Sequence, residues 1–303
     1  MRRITDSQNS KYLLFSFSFL ILVLTGYYRG IKAQEVPVET LSVKDTLQLR
    51  DTLSAPQGID TLGKTPVPVD TLKNEREVPN LSFGVGERLQ FKVRWGPIKA
   101  GNATMEIPEI IEYHGRKCFR IVSTAESSKF FSAFFKVRDR VESFTDVKGL
   151  YSLHFEKHIR EGKFQSDKFV DFDQQNHLAL TDNDTIPVPP FVQDVLSALY
   201  YVRTQPLEIG KSLFVDNHTD KKNYALEVKV LKKERVEVDA GTFDCVVVQP
   251  ILQAAGVFEQ KGTLTVWLTD DQKKMPVLMK SKVMIGSITT ELTDYRLGRV
   301  GEK

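Results

Sequence analysis

The sequence contains little cysteine: only Cys118 and Cys245 occur among 303 residues. No cysteine follows the apolar run near the N-terminus, which argues against a bacterial lipoprotein anchor. An oxidising compartment would allow a disulfide between Cys118 and Cys245, but the bond needs Cα atoms roughly 4.4–6.8 Å apart. We therefore expect two buried free thiols on strands.

Short motifs of the common enzyme classes are also missing. The sequence has no Gly-x-Ser-x-Gly elbow, no His-Glu-x-x-His and no dinucleotide fingerprint. The stretch "WGPIKAGNA", residues 95–103, lacks the helix with Lys and Ser/Thr that a phosphate-binding loop requires, so it indicates a turn. No cofactor and no catalytic residue are predicted.

The chain also lacks a basic excess outside its first residues. Residues 1–33 hold five basic side chains and one acid, which leaves 37 basic and 38 acidic residues from totals of 42 and 39. The remainder carries a formal net charge of −1. We therefore expect no nucleic-acid partner.

The N-terminal residues are typical of a secretory signal. Arg2, Arg3 and Lys11 precede the apolar run "YLLFSFSFLILVLTGYY", and Ala33 offers a small residue for cleavage. Residues 1–33 are predicted to be a signal peptide, which places the protein in the periplasm or at the outer membrane. An uncleaved anchor is the alternative, since the run reaches the lower limit of a spanning helix, about 17–25 residues.

Residues 34–80 lack aromatic side chains and repeat Asp-Thr-Leu four times among Pro, Thr and charged residues. Such a segment buries too little apolar surface to offset the entropy lost on ordering, so we predict a disordered linker. It could act as a tether, as a peptide ligand or as an inert spacer. Residues 81–298 have a globular composition and are long enough for one core.

Within residues 81–298, alternation of apolar and polar residues predicts half-buried antiparallel strands, as in "YALEVKV" and "GTLTVWL". Two segments have helical spacing instead. "SSKFFSAFFKV" groups four phenylalanines after a serine cap, and "PPFVQDVLSALYYVRT" has an apolar stripe after a proline start.

The hairpin "VWLTDDQKKMPVLMKSKV", residues 266–283, has a diverged copy in "VESFTDVKGLYSLHFEKH", residues 141–158. Glycines, cysteines and turn residues match in the same order along the two halves, at offsets near 124 residues. This pattern indicates an internal duplication. We predict a mainly β fold: one open, strongly curved antiparallel sheet of two diverged repeats, each with about six strands, and one or two short helices.

Four stretches together resemble the family named domain of unknown function 3108 (DUF3108), over about residues 81–298. They are "GERLQFKVRWGPIKAGNATMEI", "GLYSLHFEKHIREGKF", "DVLSALYYVRT" and "VWLTDDQKKMPVLMKSKVMIGSI". The resemblance implies an exported bacterial protein whose open sheet is similar in kind to the unclosed barrels of periplasmic lipoprotein carriers. It implies no assigned activity and no catalytic residue.

One polar strand face is a candidate cleft wall. If "YSLHFEKHIREGKF" is a strand, then His154, Glu156, His158 and Arg160 share one face. The two histidines would lie about 13 Å apart at 3.3 Å per residue. A single metal ion cannot bridge that distance, so no metal site is predicted.

The leading functional interpretation is a non-enzymatic binder of a lipid or lipidated peptide in the concave face of the sheet. The predicted apolar lining is Phe130, Phe134, Leu153, Phe155, Leu196 and Leu199. One alternative is a structural module that contacts another envelope protein. Another alternative is a cofactor-free enzyme that uses the face from His154 to Arg160.

Overall fold

The structure is a computed structural model that describes residues 76–251, 263–282 and 286–301. The predicted signal peptide, residues 1–33, and the predicted linker as far as residue 75 lie outside the described residues. A described portion of that linker, residues 76–80, is considered below.

The described residues form fifteen strands and two helices in one mainly antiparallel sheet. The strands are β1 Arg88–Trp95, β2 Ile98–Glu106, β3 Ile110–Tyr113, β4 Arg116–Ser127, β5 Arg138–Asp146, β6 Ser152–Glu161, β7 Phe164–Asp173, β8 Leu178–Leu180, β9 Thr185–Pro187, β10 Ser212–Thr219, β11 Lys222–Val238, β12 Gly241–Ile251, β13 Leu264–Thr269, β14 Pro276–Lys282 and β15 Ser287–Arg296. The helices are α1 Lys129–Ser132 and α2 Val195–Thr204.

The predicted fold class is confirmed, because the described strands form a single open sheet. Its order is β10-β11-β12-β13-β14-β15-β1-β2-β4-β5-β6-β7-β8-β9, with β3 paired to β4. The alternating segments become strands for the expected reason: in β11, Leu226, Val228 and Val230 are buried while Lys229 between the last two is exposed.

The two repeats are visible in the positions of the strands. β1, β2 and β6 begin at residues 88, 98 and 152, and β10, β11 and β14 begin 124 residues later at 212, 222 and 276. The backbone has positive φ at equivalent turn positions, as in Gly86 and Gly210 or Gly162 and Gly286. The last strand of the second repeat, β15, pairs with the first strand of the first repeat, β1.

Helix α2 begins later than the sequence pattern suggested. The apolar stripe predicted a helix from Phe191, but Phe191 lies in a turn with positive φ, and Gln193 forms a parallel bridge with Asn217 of β10. The buried Asp194 side chain caps the helix by accepting hydrogen bonds from the amides of Leu196 and Ser197, at 2.7 and 2.9 Å. Burial raises the pKa of Asp194, although hydroxyl and amide donors partly oppose the shift.

The sheet curls around α2, because strands from both of its ends contribute to one hydrophobic core with that helix. At the C-terminal end of α2, Arg203 forms a fully buried double ion pair with Glu87, with both N–O distances 2.7 Å. Removing one partner of such a pair typically destabilises a protein by about 3–5 kcal/mol. The pair therefore fixes α2 to the segment that enters β1.

Side chains link β10 and its following turn, at one edge of the open sheet, to β6 and β7, which lie near the opposite edge. Asp220, in the turn between β10 and β11, accepts from Lys157 of β6 at 3.3 Å and from Lys168 of β7 at 2.8 Å. The backbone amide of Gln193 also donates to the backbone carbonyl of Asp216 in β10 at 2.9 Å. We call this junction the seam.

The packed part of the chain begins before residue 81, which corrects the predicted boundary of the linker. The Arg76 guanidinium donates to the carbonyls of Gly149 and Leu150, at 2.8 and 3.0 Å. It also stacks over the rings of Phe191 and Tyr201, at 4.7 and 4.9 Å. The aromatic partners come from distant segments, so the local composition of residues 76–80 gave no sign of these contacts.

Candidate functional site

Helix α1 exposes two large apolar side chains. Phe130 is 65% exposed and Phe134, just after the helix, is 71% exposed. Their rings meet edge to face with centroids 5.6 Å apart, and the Phe130 ring also contacts that of Phe131, with centroids 5.7 Å apart. None of the four helical residues is buried. The phenylalanine cluster therefore lies on the surface instead of filling the core.

Short polar contacts hold α1 against the strand ends where β4 finishes and β2 and β5 begin. The Ser128 side chain caps the helix by accepting from the amide of Phe131 at 3.3 Å, and the hydroxyls of Ser127 and Ser132 lie 2.7 Å apart. The Ser128 amide donates to Ala100 of β2 at 2.8 Å.

The segment after α1 contacts the turn between β6 and β7. The amide of Gly162 in that turn donates to Lys136 at 2.8 Å. A Cβ at Gly162 would approach the ring of Phe135 to 2.9 Å, so glycine permits this close contact. Ile98, at the start of β2, adds a side chain that is 48% exposed. We use the name α1 end for three neighbouring segments: α1 with its flanking residues, the turn between β1 and β2 with the start of β2, and the turn between β6 and β7. They comprise residues 96–100, 126–139 and 161–164.

The structure does not gather the predicted apolar lining into one site. Phe130 and Phe134 are exposed, whereas Phe155 and Leu196 are buried in the main core and Leu199 packs against it. Leu153 belongs to a second cluster, with Cys118 and Tyr151.

A register shift between β5 and β6 explains why Leu153 and Phe155 separate. The pairing shifts between Phe144 and Thr145, so that Leu153 has no direct partner on β5. Such a bulge re-aims the local side chains, so two residues that alternate onto one face of a regular strand can join different clusters.

The polar strand face has the predicted orientation. His154, Glu156, His158 and Arg160 alternate with the core-facing residues of β6 and lie on its outer side. The imidazole of His154 lies 2.5 Å from Asp171 and 3.1 Å from Glu156. The imidazole of His158 lies 3.1 Å from Glu156 and 2.7 Å from Asp167.

This chain of contacts continues at both ends. Arg160 donates to both carboxylate oxygens of Asp167, at 2.8 and 2.9 Å, and the Tyr113 hydroxyl donates to Asp171. We call the whole row the histidine ladder. The carboxylates from β7 were not recognised from the sequence, although the alternation of "FQSDKFVDFD" places Asp167 and Asp171 on one face.

Both histidines of the ladder favour their charged form. Burial lowers the pKa of His154, but the carboxylates of Asp171 and Glu156 outweigh burial and raise it overall. The pKa of His158 is likewise lowered by burial and raised overall by the carboxylates of Asp167 and Glu156. Since every imidazole nitrogen faces a carboxylate, the arrangement is that of a cross-strand ion-pair network. Among the described residues, no cluster of His, Cys, Asp or Glu could hold a metal ion.

The core-facing side of β6 carries charged residues that the sequence reasoning did not single out. Lys157 is 4% exposed and Glu161 is 8% exposed, on the same side as Phe155 and Ile159. Burial lowers the pKa of Lys157. Burial raises the pKa of Glu161 to about 8, and the nearby Asp139 adds to that shift. Strict alternation along β6 was the available signal for these inward-facing charges.

The two cysteines are free thiols, so the disulfide considered above does not form. Cys118 belongs to the smaller cluster and Cys245 to the main core. Burial raises the pKa of each thiol to about 12, which makes both unreactive at neutral pH.

A shallow cleft of about 420 Å³ lies between the N-terminal segment and the end of α2. Its lining residues are Arg76, Glu77, Val78, Pro79, Tyr201, Thr204, Gln205 and Pro206. Because the Arg76 guanidinium is already stacked on aromatic rings and bonded to carbonyls, the cleft offers few uncommitted polar groups.

Neither helix in the described part of the chain is long and apolar enough to cross a membrane. No curated protein matches the chain in sequence. The solved structures that are similar to it include three bacterial proteins. The first is a β-barrel-like protein of domain of unknown function DUF1849 from Brucella abortus, with 10% identity, a TM-score of 0.49, and coverage of 74% of this chain and 99% of that one.

The second is a candidate lipoprotein from Parabacteroides distasonis, with 11% identity, a TM-score of 0.33, and coverage of 74% and 100%. The third is a candidate exported protein with a YmcC-like fold from Bacteroides fragilis, with 14% identity, a TM-score of 0.27, and coverage of 73% and 99%. A family profile described as "Protein of unknown function (DUF3108)" matches residues 90–293, which span β1 to β15. The chain therefore belongs to the DUF3108 family.

Proposed function

We propose that this protein is exported to the cell envelope and binds an apolar ligand, a lipid or a lipidated peptide, at the α1 end of its sheet. The basic residues and apolar run that precede Ala33 support export. The proposal keeps the class of ligand expected from the sequence and moves its contact from the concave face to the end of the sheet.

The observation that carries the proposal is the exposure of Phe130 and Phe134, at 65% and 71%. Contiguous exposed apolar side chains on a soluble protein usually mark a binding surface. Ile98 is 48% exposed at the start of β2, which adjoins α1 through the hydrogen bond between Ser128 and Ala100, and it adds apolar surface to the α1 end.

The interior offers weaker support for a ligand. Leu196 is 2% exposed and Phe155 is 7% exposed, and both pack in the core around α2. Protein interiors are close-packed, so these side chains are better explained by packing than by a lining. Of the apolar lining expected from the sequence, Phe130 and Phe134 are the residues still exposed to a ligand.

The histidine ladder favours a binding role over a catalytic one. A general base needs a free lone pair directed at substrate, but each nitrogen of His154 and His158 already faces a carboxylate. The ladder is better explained as an ion-pair network that ties β6 to β7.

Binding of a fluorescent fatty acid in solution tests the proposal. The wild-type chain should bind the probe saturably, and Phe130→Ser combined with Phe134→Ser should weaken binding at least tenfold. Burial of one phenylalanine is worth about 1.5–3 kcal/mol, and about 1.4 kcal/mol corresponds to a tenfold change in affinity.

Phe214→Ser is the matched control. Phe214 is 63% exposed on β10, where it pairs with Glu227 away from the α1 end, so its loss should leave probe binding unchanged. The proposal is wrong if the wild type shows no saturable binding, or if Phe214→Ser weakens binding as much as the double variant.

A further inference from the structure

The α1 end is basic as well as apolar. Five cationic side chains lie on its segments, and all five are exposed: Lys99, Lys129, Lys136, Arg138 and Lys163. None of them forms an ion pair with another described residue. Elsewhere in the described chain, many exposed lysines are neutralised locally, as Lys211 is by Glu208 and Lys232 is by Glu234.

Few carboxylates oppose these cations. Residues 96–100, 126–139 and 161–164 contain three acids, the exposed Glu126 and the buried Asp139 and Glu161, against the five cations. Glu126 lies opposite Arg138 in the strand register. Because burial raises the pKa of Glu161 to about 8, its carboxyl is mostly neutral at pH 7 and cancels little of the surrounding charge. The α1 end therefore carries a clear positive excess.

Backbone hydrogen bonds bring the segments that carry these cations together beside the phenylalanine cluster. Ser128, next to Lys129, bonds to Ala100, next to Lys99. The carbonyl of Lys136 accepts from Gly162, next to Lys163. The exposed phenylalanines and the exposed lysines thus lie on three adjoining segments of the chain.

We propose that the α1 end docks on the surface of an anionic lipid bilayer, with Phe130 and Phe134 entering the interface and the lysines facing lipid phosphates. This inference rests on the proposed function and names the surface from which the ligand would come. An anionic bilayer fits both properties of the patch, because it offers apolar depth below a plane of negative charge. A protein partner would instead require matching acidic side chains, and failure to bind anionic vesicles would favour such a partner over a bilayer.

Sedimentation with vesicles tests the docking. The wild-type chain should bind vesicles of phosphatidylcholine mixed with phosphatidylglycerol much more tightly than vesicles of phosphatidylcholine alone. Added salt should weaken the binding, since exposed charges are screened within about 10 Å at 0.1 M. Lys129→Gln, Lys136→Gln and Lys163→Gln together should weaken it at least tenfold, because each lysine near an anionic surface contributes roughly a fivefold factor.

A charge-matched control replaces three exposed lysines outside the α1 end: Lys148→Gln, Lys211→Gln and Lys232→Gln. This variant has the same net charge as the first triple variant and should bind anionic vesicles like the wild type. Equal loss in both triple variants would overturn the docking site, since net charge alone would then explain the binding. Equal binding to neutral and anionic vesicles, or no binding to either, would also overturn it.

The probe assay separates this inference from the proposed function. If the wild type binds the probe but no vesicle, the docking is wrong and the proposed function stands. If the wild type binds anionic vesicles through its lysines but no probe, the docking stands and the proposed ligand is wrong.

Discussion

Glu161 lies on the core-facing side of β6, where burial raises the pKa of its carboxyl to about 8 and nearby Asp139 adds to the shift. The other charged residue on that side, Lys157, is shifted the opposite way, since burial lowers its pKa. Both shifts favour neutral forms. The two shifts have one cause, because a charge on the core-facing side of β6 has little water around it.

Glu161→Gln should stabilise the protein at alkaline pH. An unfolded glutamate titrates near 4.5, so between about pH 4.5 and 8 the folded state holds a proton that the unfolded chain releases. Wild-type stability should therefore fall as pH rises through this window, whereas the glutamine variant lacks this dependence. In urea unfolding, we expect the free energy of unfolding of Glu161→Gln to rise by a few kcal/mol relative to that of the wild type across this window, at about 1.4 kcal/mol per unit of pKa shift.

Glu126→Gln serves as the control for this measurement, because Glu126 is exposed at the end of β4. Its stability relative to the wild type should stay nearly constant over the same pH range. A constant difference for Glu161→Gln as well would show that the carboxyl is ionised in the folded protein.

At the scale of elements, α2 is the helix around which the open sheet curls. Asp194 caps its first turn, and the buried hydroxyls of Ser143 and Ser152 donate to that carboxylate at 2.5 and 2.6 Å. Leu196, two residues into the helix, is 2% exposed within the main core. The helix therefore depends on both an internal polar cap and apolar contacts with the surrounding strands.

Leu196→Trp should overpack this core and lower the free energy of unfolding by about 1–3 kcal/mol. Urea denaturation followed by circular dichroism measures the change. Leu199→Trp introduces the same side chain three residues further along at a half-buried position, so its cost should be smaller. Unchanged stability in Leu196→Trp would mean that the core has spare volume and would restore the concave face as a ligand site.

At the scale of the whole molecule, the repeats meet in two unlike ways. β15 and β1 pair as neighbouring strands from Arg88–Arg296 to Trp95–Ile288. The other junction is the seam. There Asp220 bonds to Lys157 and Lys168, and the backbone pairing is limited to an isolated bridge between Gln193 and Asn217. A junction held by a few side chains should open at lower free energy than a continuous strand pair.

Asp220→Asn should loosen the seam without unfolding the sheet. We expect faster hydrogen exchange at the amides of Gln193 and His218, which bond across the seam at 2.9 and 2.8 Å. Exchange in β15 and β1 should be unchanged. The control is Asp244→Asn, which removes an exposed ion pair with Arg235 between the neighbouring strands β11 and β12, away from the seam. Uniform acceleration across all strands in Asp220→Asn would show global destabilisation, which the proposed local opening does not predict.

Local patterns in the sequence were sufficient for the strands and for the repeat. Period-2 alternation marked β6 and β11, and turn residues such as Gly86 and Gly210 recurred at a constant offset because equivalent turns need the same backbone conformation. The face shared by His154, Glu156, His158 and Arg160 was predictable for the same reason. The start of α2 was not, because Gln193 pairs with a strand that lies later in the chain.

The sequence by itself determined a β-rich, duplicated chain, because side-chain periodicity and turn chemistry are local properties. Only the tertiary structure decided which residues meet. A bulge beside Thr145 separates Leu153 from Phe155, carboxylates on β7 saturate the two histidines, and α2 takes the concave face that a ligand was expected to fill. Packing of that helix inside the sheet leaves Phe130 and Phe134 at its end without a place in the core, because the limited interior volume is occupied by side chains from all strands and α2.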